Sequence, residues 1–248
     1  MTNIKQLTDE IRCLFLCCKE LAQPNETPDT IQAYVLLSGK LIDELIDGTN
    51  SLLQGDLCWS PPVLLRVICE KAIEICWIAS GDKIDQKIAW LDLDHLRSAK
   101  QSVKDIIHFK TRASQPLDTH NALMVEISDR TSFLEKRFPD IQNKRLPNYE
   151  QMAREGGVEW LYGTVYRQLC LTVHPNAFGF GPFAYEWNMQ RKDFTAVRKH
   201  AGSLDYQVWM NMCLLEYSKA LNSLFKGPFK RQLETSERKL MTFTHVVW

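Results

Sequence analysis

Apolar residues recur along this chain at three- and four-residue spacing over long stretches, and alternating strand patterns are scarce. That periodicity predicts one helix after another. The first runs from Ile4 to Leu21 and halts at Gln23-Pro24. The second starts after Pro28, carries Leu36, Leu37, Leu41, Leu45 and Leu52 at helical spacing, and ends near Gly55. Ser60 caps a third, with Pro61 in its first turn, which continues to about Ala79 and stops at Gly81. A charged amphipathic helix follows from Asp82 to about Lys110, and another from Asp118 to Phe138, where Pro139 ends it. A short helix follows Asn148, and a mainly apolar one spans Val158 to His174. Beyond a glycine- and aromatic-rich loop come a long helix from Leu204 to Phe225 and a shorter one after Pro228. Only 139–148 and 175–192 read as long irregular stretches. Long helices joined by short connections predict an all-α fold, a single-domain bundle of roughly seven to nine helices. It spans residues 1–248 as one domain, or as one domain with an N-terminal helical extension over residues 1–25.

Composition narrows the classes. The 248 residues include 30 basic and 30 acidic side chains, so no global charge draws the chain to nucleic acid or anionic membranes, although a local basic groove is compatible with that average. An apolar content of 45% and seven tryptophans mark a globular chain. The eight cysteines form no C-x2-C pair and mostly sit inside apolar helical patterns, which predicts reduced, buried thiols and no metal site. The opening MTNIKQLTDEIR has no apolar targeting core, and no uncharged run approaches the ~20 residues that span a bilayer. The expectation is a soluble cytoplasmic protein with no membrane partner and no cofactor.

Candidate chemistry concentrates in GVEWLYGTVYRQLCLTVHPN. On a regular helix Glu159, Gly163, Tyr166, Arg167, Cys170 and His174 fall within a sector of about 100°. They form a polar and small stripe on an otherwise apolar helix. His174 precedes Pro175, which places the imidazole at or near the helix C-terminus, where the helix dipole favours its protonated form. Arg167, seven residues earlier, adds a permanent charge suited to phosphate. Tyr166 adds a hydroxyl and a stacking surface, and Gly163 leaves room for close approach. The alternative is a helix–helix seam in which Gly163 and Cys170 permit close packing while Tyr166 and His174 satisfy buried polar groups.

Two further segments bear on this stripe. In SPPVLLRVICEKAIEICWIASG the only charged residues are Arg66, Glu70, Lys71 and Glu74. As a site, Glu70 would pair with Arg167 or His174; as the plainer alternative, these charges form a solvated stripe. The loop HPNAFGFGPFAYEW crowds Phe178, Phe180, Phe183, Tyr185 and Trp187 around glycines and begins at His174. It reads as a packed loop over the core, or as a lid or base-stacking surface beside a site. The cluster Arg191, Lys192, Arg198, Lys199 and His200 reads as solvated surface and is the first choice for any electrostatic attraction to nucleic acid.

The R-x3-E of Arg66 and Glu70 in LLRVICE, together with Tyr166, Cys170 and His174 in YRQLCLTVHPN, resembles a family of uncharacterised bacterial all-helical proteins, a domain of unknown function. Its pattern pairs R-x3-E with a later Y-x3-S-x3-H, and Cys170 stands here at the serine position. More distantly, Arg167 and His174, with six residues between them, are similar to the R-x4-6-H motif of the HEPN superfamily of small helical bundles, although Gln168 replaces the Asn, Asp or His usual after the arginine. Many HEPN members are metal-independent ribonucleases of toxin or antiviral defence systems.

That likeness implies an RNA-cleaving or RNA-binding protein. His174 would act as general acid or base, Arg167 would hold the scissile phosphate, Glu70 and Arg66 would orient the site, and Tyr166 would position substrate. Cys170, Asn176, Phe178 and Phe180 would contact the substrate. The likeness also implies a homodimer with two facing Arg167/His174 pairs. A non-catalytic scaffold or partner-binding subunit stands as the competing expectation, with the Arg/Glu/Tyr/His set acting as an internal polar network.

Overall fold

Twelve of the nineteen residues of the helix Pro61–Ala79 are buried, among them Leu65, Ile68, Cys69, Ile73, Trp77 and Ile78. A helix this apolar on all sides can only sit inside a bundle, and its neighbours arrange themselves around it. The structure is a computed structural model and describes residues 3–24, 26–54, 61–173, 183–188, 193–199 and 203–244. The expected capping residue Ser60 and the loop residues His174, Asn176, Phe178 and Phe180 lie outside the described residues.

The helices are α1 (Ile4–Glu20), α2 (Thr30–Gln54), α3 (Pro61–Ala79), α4 (Ile84–Arg112), α5 (Asp118–Arg137), α6 (Tyr149–Glu155), α7 (Glu159–Leu161), α8 (Arg167–Val173), α9 (Ser203–Leu224) and α10 (Lys230–Thr244). The fold is all-α, as the periodicity predicts. One feature departs from it: part of the stretch expected to be irregular pairs as an antiparallel hairpin, β1 (Phe183–Asn188) with β2 (Asp193–Lys199), with a register shift between Ala184 and Tyr185. The alternation of Phe183, Tyr185 and Trp187 with Ala184, Glu186 and Asn188 was a usable strand signal, hidden by the glycines and proline that precede it.

The chain divides into two compact units, one of residues 1–80 with 149–248 and one of residues 81–148. In the first, α3 packs against α2, α6, α8 and above all α9, and α1 packs on α9 and α10. Phe15 of α1 meets the Tyr217 ring of α9 edge-on at 5.6 Å. Inside this core Ser38 Oγ lies 2.7 Å from Tyr217 Oη, and Asn211 Nδ2 donates to Thr8 Oγ1 at 2.9 Å. Arg12 ties α1 to α2 through Asp43 and Asp47, at 2.8 and 2.7 Å. The thiols of Cys18, Cys69, Cys76 and Cys213 are buried, and burial pushes the Cys18 thiol up to about 12.

The second unit is a helical hairpin of α4 and α5. Ala89, Leu93, Leu134 and Ile141 form its core, with Trp90, Leu96 and Phe138 packed on it. Its edges are pinned by Arg97 with Glu135 (3.6 Å) and Arg130 with Asp92 (2.7 Å). Arg97 also donates to the carbonyls of Gln142 and Lys144 in the segment that leaves the hairpin.

Two glycines are demanded by geometry. Gly81 has φ +87° and stops α3 in the left-handed region, as expected of a C-terminal glycine. Gly156, just past α6, lies so close to α3 that a Cβ there would stand 2.9 Å from the Trp77 backbone nitrogen and 3.0 Å from the Cys76 carbonyl carbon. Backbone cannot yield as a side-chain tip can. Gly156→Ala is therefore expected to destabilise the protein by about 1–3 kcal/mol, measured by urea unfolding, whereas Gly163→Ala, with nothing within 4 Å of its Cβ position, should leave the midpoint unchanged or slightly raised.

Candidate functional site

Arg66, Glu70 and Glu74 follow one another at four-residue spacing and so share one face of α3. Arg66 Nε donates to Glu70 Oε1 at 3.0 Å, with both side chains mostly covered. This pair forms even though arginine before glutamate is the weaker order for a local helix ion pair, because a third group joins it. Tyr166 Oη donates to the same Glu70 oxygen at 3.2 Å and lies 3.5 Å from Arg66 Nη2, while the Arg66 guanidinium sits over the Tyr166 ring, 5.6 Å from its centroid. The R-x3-E segment and the later tyrosine motif thus converge, although a hundred residues separate Arg66 from Tyr166. Cys170, one turn past Tyr166, is half-buried beside the same cluster.

One turn along α3 lies a second node. Glu74 is 3% exposed. Its Oε2 accepts from Tyr34 Oη at 2.6 Å and from Lys71 Nζ at 2.6 Å, and its Oε1 accepts from Tyr149 Oη at 2.9 Å. Three donors reach one carboxylate from α2, α3 and the start of α6. The α3 charges are therefore not the solvated stripe of the plainer expectation: Glu74 is enclosed because α2 and α6 close over that face. The two nodes are joined through Tyr149, whose ring lies 5.4 Å from that of Tyr166. Sequence reasoning missed Tyr34, Lys71, Tyr149 and Glu74 as members. A carboxylate in register with Arg66 and Glu70 on an apolar helix was a usable signal for Glu74; the tyrosines carried none.

Between α7 and α8 the backbone widens into a π turn, Tyr162–Tyr166, in which the Arg167 N–H reaches the Tyr162 carbonyl. One extra residue in a turn rotates the helix beyond it by about 100° relative to the helix before it. The six-residue stripe consequently does not stay on one face. Tyr166 and Cys170 turn toward α3, while Glu159, Gly163 and Arg167 are exposed. Arg167 stacks on the Tyr162 ring at 5.3 Å, and Tyr162 stacks on Tyr166 at 5.2 Å. Its carboxylate neighbour is Glu150, at 4.0 Å. The expected partnership of Glu70 with Arg167 is taken by Arg66, one helical turn from Glu70 on α3. No described residue lies within 4 Å of a Cβ placed on Gly163, so among the described residues no close-packing seam forms at that position. The result is a ladder of Arg66, Tyr166, Tyr162 and Arg167 that runs from the half-buried cluster to the surface. His174, Asn176, Phe178 and Phe180 lie outside the described residues, and no geometry is assigned to them.

Electrostatics follow from burial. Desolvation pushes the phenols of Tyr34 and Tyr149 well above the ordinary tyrosine range, and the nearby Glu74 charge adds to it. Tyr166 is raised by burial and by Glu70, against the opposing pull of Arg66. All three are hydrogen-bond donors, not nucleophiles, near neutral pH. Among the described residues no group of three or more His, Cys, Asp or Glu side chains is placed to hold a metal ion, and no helix is long and apolar enough to cross a membrane. Two surface grooves, of about 510 Å³ between α1 and α10 and about 460 Å³ between α9 and α10, are lined by none of these site residues.

The chain belongs to the family of unknown function DUF5677, whose sequence model matches residues 42–189. The match spans both motif segments, so the resemblance drawn from Arg66, Glu70, Tyr166, Cys170 and His174 to a family of unknown function holds. No curated protein and no solved structure matches the chain.

Two outcomes are expected from the buried nodes. Glu74→Leu removes the acceptor of two phenols and strands the Lys71 ammonium, and should cost about 3–5 kcal/mol in urea unfolding; Lys71→Met in the same background should recover part of that loss. At high pH, unfolded tyrosines ionise near pH ~10 while Tyr34, Tyr149, Tyr166 and Tyr217 do so only at higher pH. Their contribution to stability is complete below pH ~10 and declines above it, by about 1.4 kcal/mol per pH unit for each such tyrosine. Tyrosine absorbance at 295 nm should therefore rise together with loss of helical circular dichroism. Ionisation of all seven tyrosines in a still-helical protein would contradict this assignment.

Proposed function

We propose that this member of the DUF5677 family is a HEPN-like RNA-cleaving or RNA-binding protein, in keeping with a toxin or antiviral defence role. The observation that carries the reading is the convergence of two distant motifs on one oxygen, Glu70 Oε1, which accepts from both Arg66 and Tyr166. A partly exposed guanidinium, oriented by a carboxylate and backed by a tyrosine ring, is a site for a phosphodiester. A π turn at its edge is the kind of local irregularity that recurs at functional sites.

In this reading Arg66 and Arg167 bind phosphate at the two ends of the tyrosine ladder. Glu70 and Tyr166 hold Arg66 in place. His174 enters on the sequence alone, four residues after Cys170. It takes the proton of a ribose 2′-hydroxyl as that oxygen attacks the phosphorus, the arginines stabilise the charge that develops, and the 5′-oxygen departs with the proton that the imidazolium gives back. The scheme uses a charge always present and an imidazole suited to proton transfer, and it calls for no metal.

A second reading is favoured by a specific observation, the closed set of donors around Glu74. On that reading the entire Arg/Glu/Tyr network is a structural pin inside a scaffold or partner-binding subunit.

Labelled single-stranded RNA separates the two. The wild type is expected to cleave it, with a rate that rises through pH ~6–7 as His174 loses its proton. His174→Ala should slow cleavage by about 10²–10⁴-fold with an unchanged unfolding midpoint, and Arg167→Ala should weaken both binding and cleavage. A wild type that neither binds nor cleaves RNA, together with large losses of stability in Arg66→Ala and Glu70→Ala, would leave the structural reading in place and end the ribonuclease one.

A further inference from the structure

Arg154 lies in the last turn of α6, and the backbone beyond it is tightly fixed. Gly157 takes φ +72°, its N–H reaches the Arg154 carbonyl at 3.3 Å, and the Val158 N–H reaches back to the Ala153 carbonyl at 2.8 Å. That is a left-handed glycine stop, which ends the helix and redirects the chain. The redirected chain brings Glu159 of α7 to 3.7 Å from Arg154 Nε, and Arg167 Nη2 to 4.0 Å from Glu150 Oε1. Arg154 Nη2 stands 3.6 Å from that same Glu150 oxygen. One carboxylate oxygen therefore lies between the Nη2 groups of two arginines, one from each side of the turn. Both arginines are open to solvent, at 61% and 60% exposure.

Glu150 holds this seat loosely. Charge-assisted hydrogen bonds from guanidinium to carboxylate run at about 2.7–2.9 Å, and all three contacts here are longer. They are long even though glutamate four residues before arginine is the favoured order on a helix. The surroundings are held more firmly than the carboxylate. Arg167 stacks on the Tyr162 ring, and the backbone at Glu150 follows Tyr149, whose hydroxyl is tied to buried Glu74 at 2.9 Å. The Glu150 side chain is thus the part free to leave. While it stays, two arginines and two glutamates cancel. Once it swings away, positive charge is in excess between two guanidiniums. A phosphate group, with several acceptor oxygens and a full negative charge, can accept from both Nη2 groups at once.

We propose that Arg154 and Arg167 form a clamp for one phosphate group, with Glu150 as the built-in occupant that the phosphate displaces. The clamp adds Arg154 and Glu150 to the site, and it rests on the RNA reading for the source of the phosphate, the backbone of single-stranded RNA. Glu150 acts as a competitor: an anion that reaches only one of the two guanidiniums gains too little to dislodge it.

Fluorescence anisotropy with labelled single-stranded RNA over a range of salt concentrations, and calorimetry with inorganic phosphate, test this on the full chain. Arg154→Ala is expected to weaken binding about tenfold and to lower the salt slope by about one. Arg154→Lys should keep the slope and recover only part of the affinity, because it restores the charge without the planar fork. Glu150→Gln should tighten binding by about two- to fivefold, and should have no such effect in a chain that also carries Arg154→Ala and Arg167→Ala. Unfolding midpoints should not change, since loose surface ion pairs contribute little to stability. RNA binding that is indifferent to both Arg154→Ala and Glu150→Gln would overturn the clamp and leave the RNA reading standing. Inorganic phosphate binding that follows these variants, in a chain that binds no RNA, would keep the clamp and end the RNA reading. A wild type that binds neither would end both.

Discussion

A carboxylate sealed inside a helical bundle is the constraint on which the rest of this structure turns. Glu74 lies on the most buried helix of the chain, and an ionised carboxylate there is tolerable only if donors surround it. Those donors come from three places: a tyrosine on α2, a lysine on the next exposed edge of α3, and a tyrosine at the first residue of α6. Satisfying one buried charge therefore fixes how three segments meet. Tyr149 in turn sits against Tyr166, so the node that settles the core also sets the position of the tyrosine that completes the Arg66–Glu70 pair. Gly156 works to the same end, because its missing Cβ lets the end of α6 lie against the α3 backbone.

The π turn translates that packing into chemistry. A continuous α-helix from Glu159 onward would carry its polar residues as one line. Inserting a residue splits the line in two, one part facing α3 and one facing solvent. Tyr166 and Cys170 face inward, Arg167, the residue after Tyr166, faces outward, and the tyrosine rings bridge the gap. A site built this way has a rigid end, held by Glu70, and an accessible end at Arg167. On the proposed RNA-binding reading, such a gradient would grip a polyanion at the surface and orient it at depth.

The two units differ in how they are held. In the larger, most residues of α3 and α9 are buried, and the interior polar groups of Ser38, Glu74 and Ser218 are hydrogen-bonded. The α4–α5 hairpin has a short apolar core and closes its edges with ion pairs. Exposed ion pairs contribute little to stability, so the hairpin relies on its seam of leucines and aromatics, and its outer apolar residues have no counterpart within it.

Periodicity alone located the long helices, most of their boundaries and the all-α class, because burying one side of a helix writes a 3.6-residue repeat directly into the chain. Proline and glycine punctuation located the ends for the same local reason: Gly81 must take a positive φ and Pro139 cannot continue a helix. The paired spacing of Arg66 with Glu70, and of Tyr166 with Cys170, was likewise readable, since each motif lies within two turns of one segment. What the chain could not disclose was anything carried by contacts between segments. Tyr34 and Tyr149 look like ordinary aromatics until α2 and α6 close over Glu74. Arg167 looks like a member of the site, but it follows Tyr166 directly, points about 100° away from it, and leaves Arg66 as Glu70's partner. Local pattern records what each helix must bury, and only tertiary packing decides which polar groups are buried together.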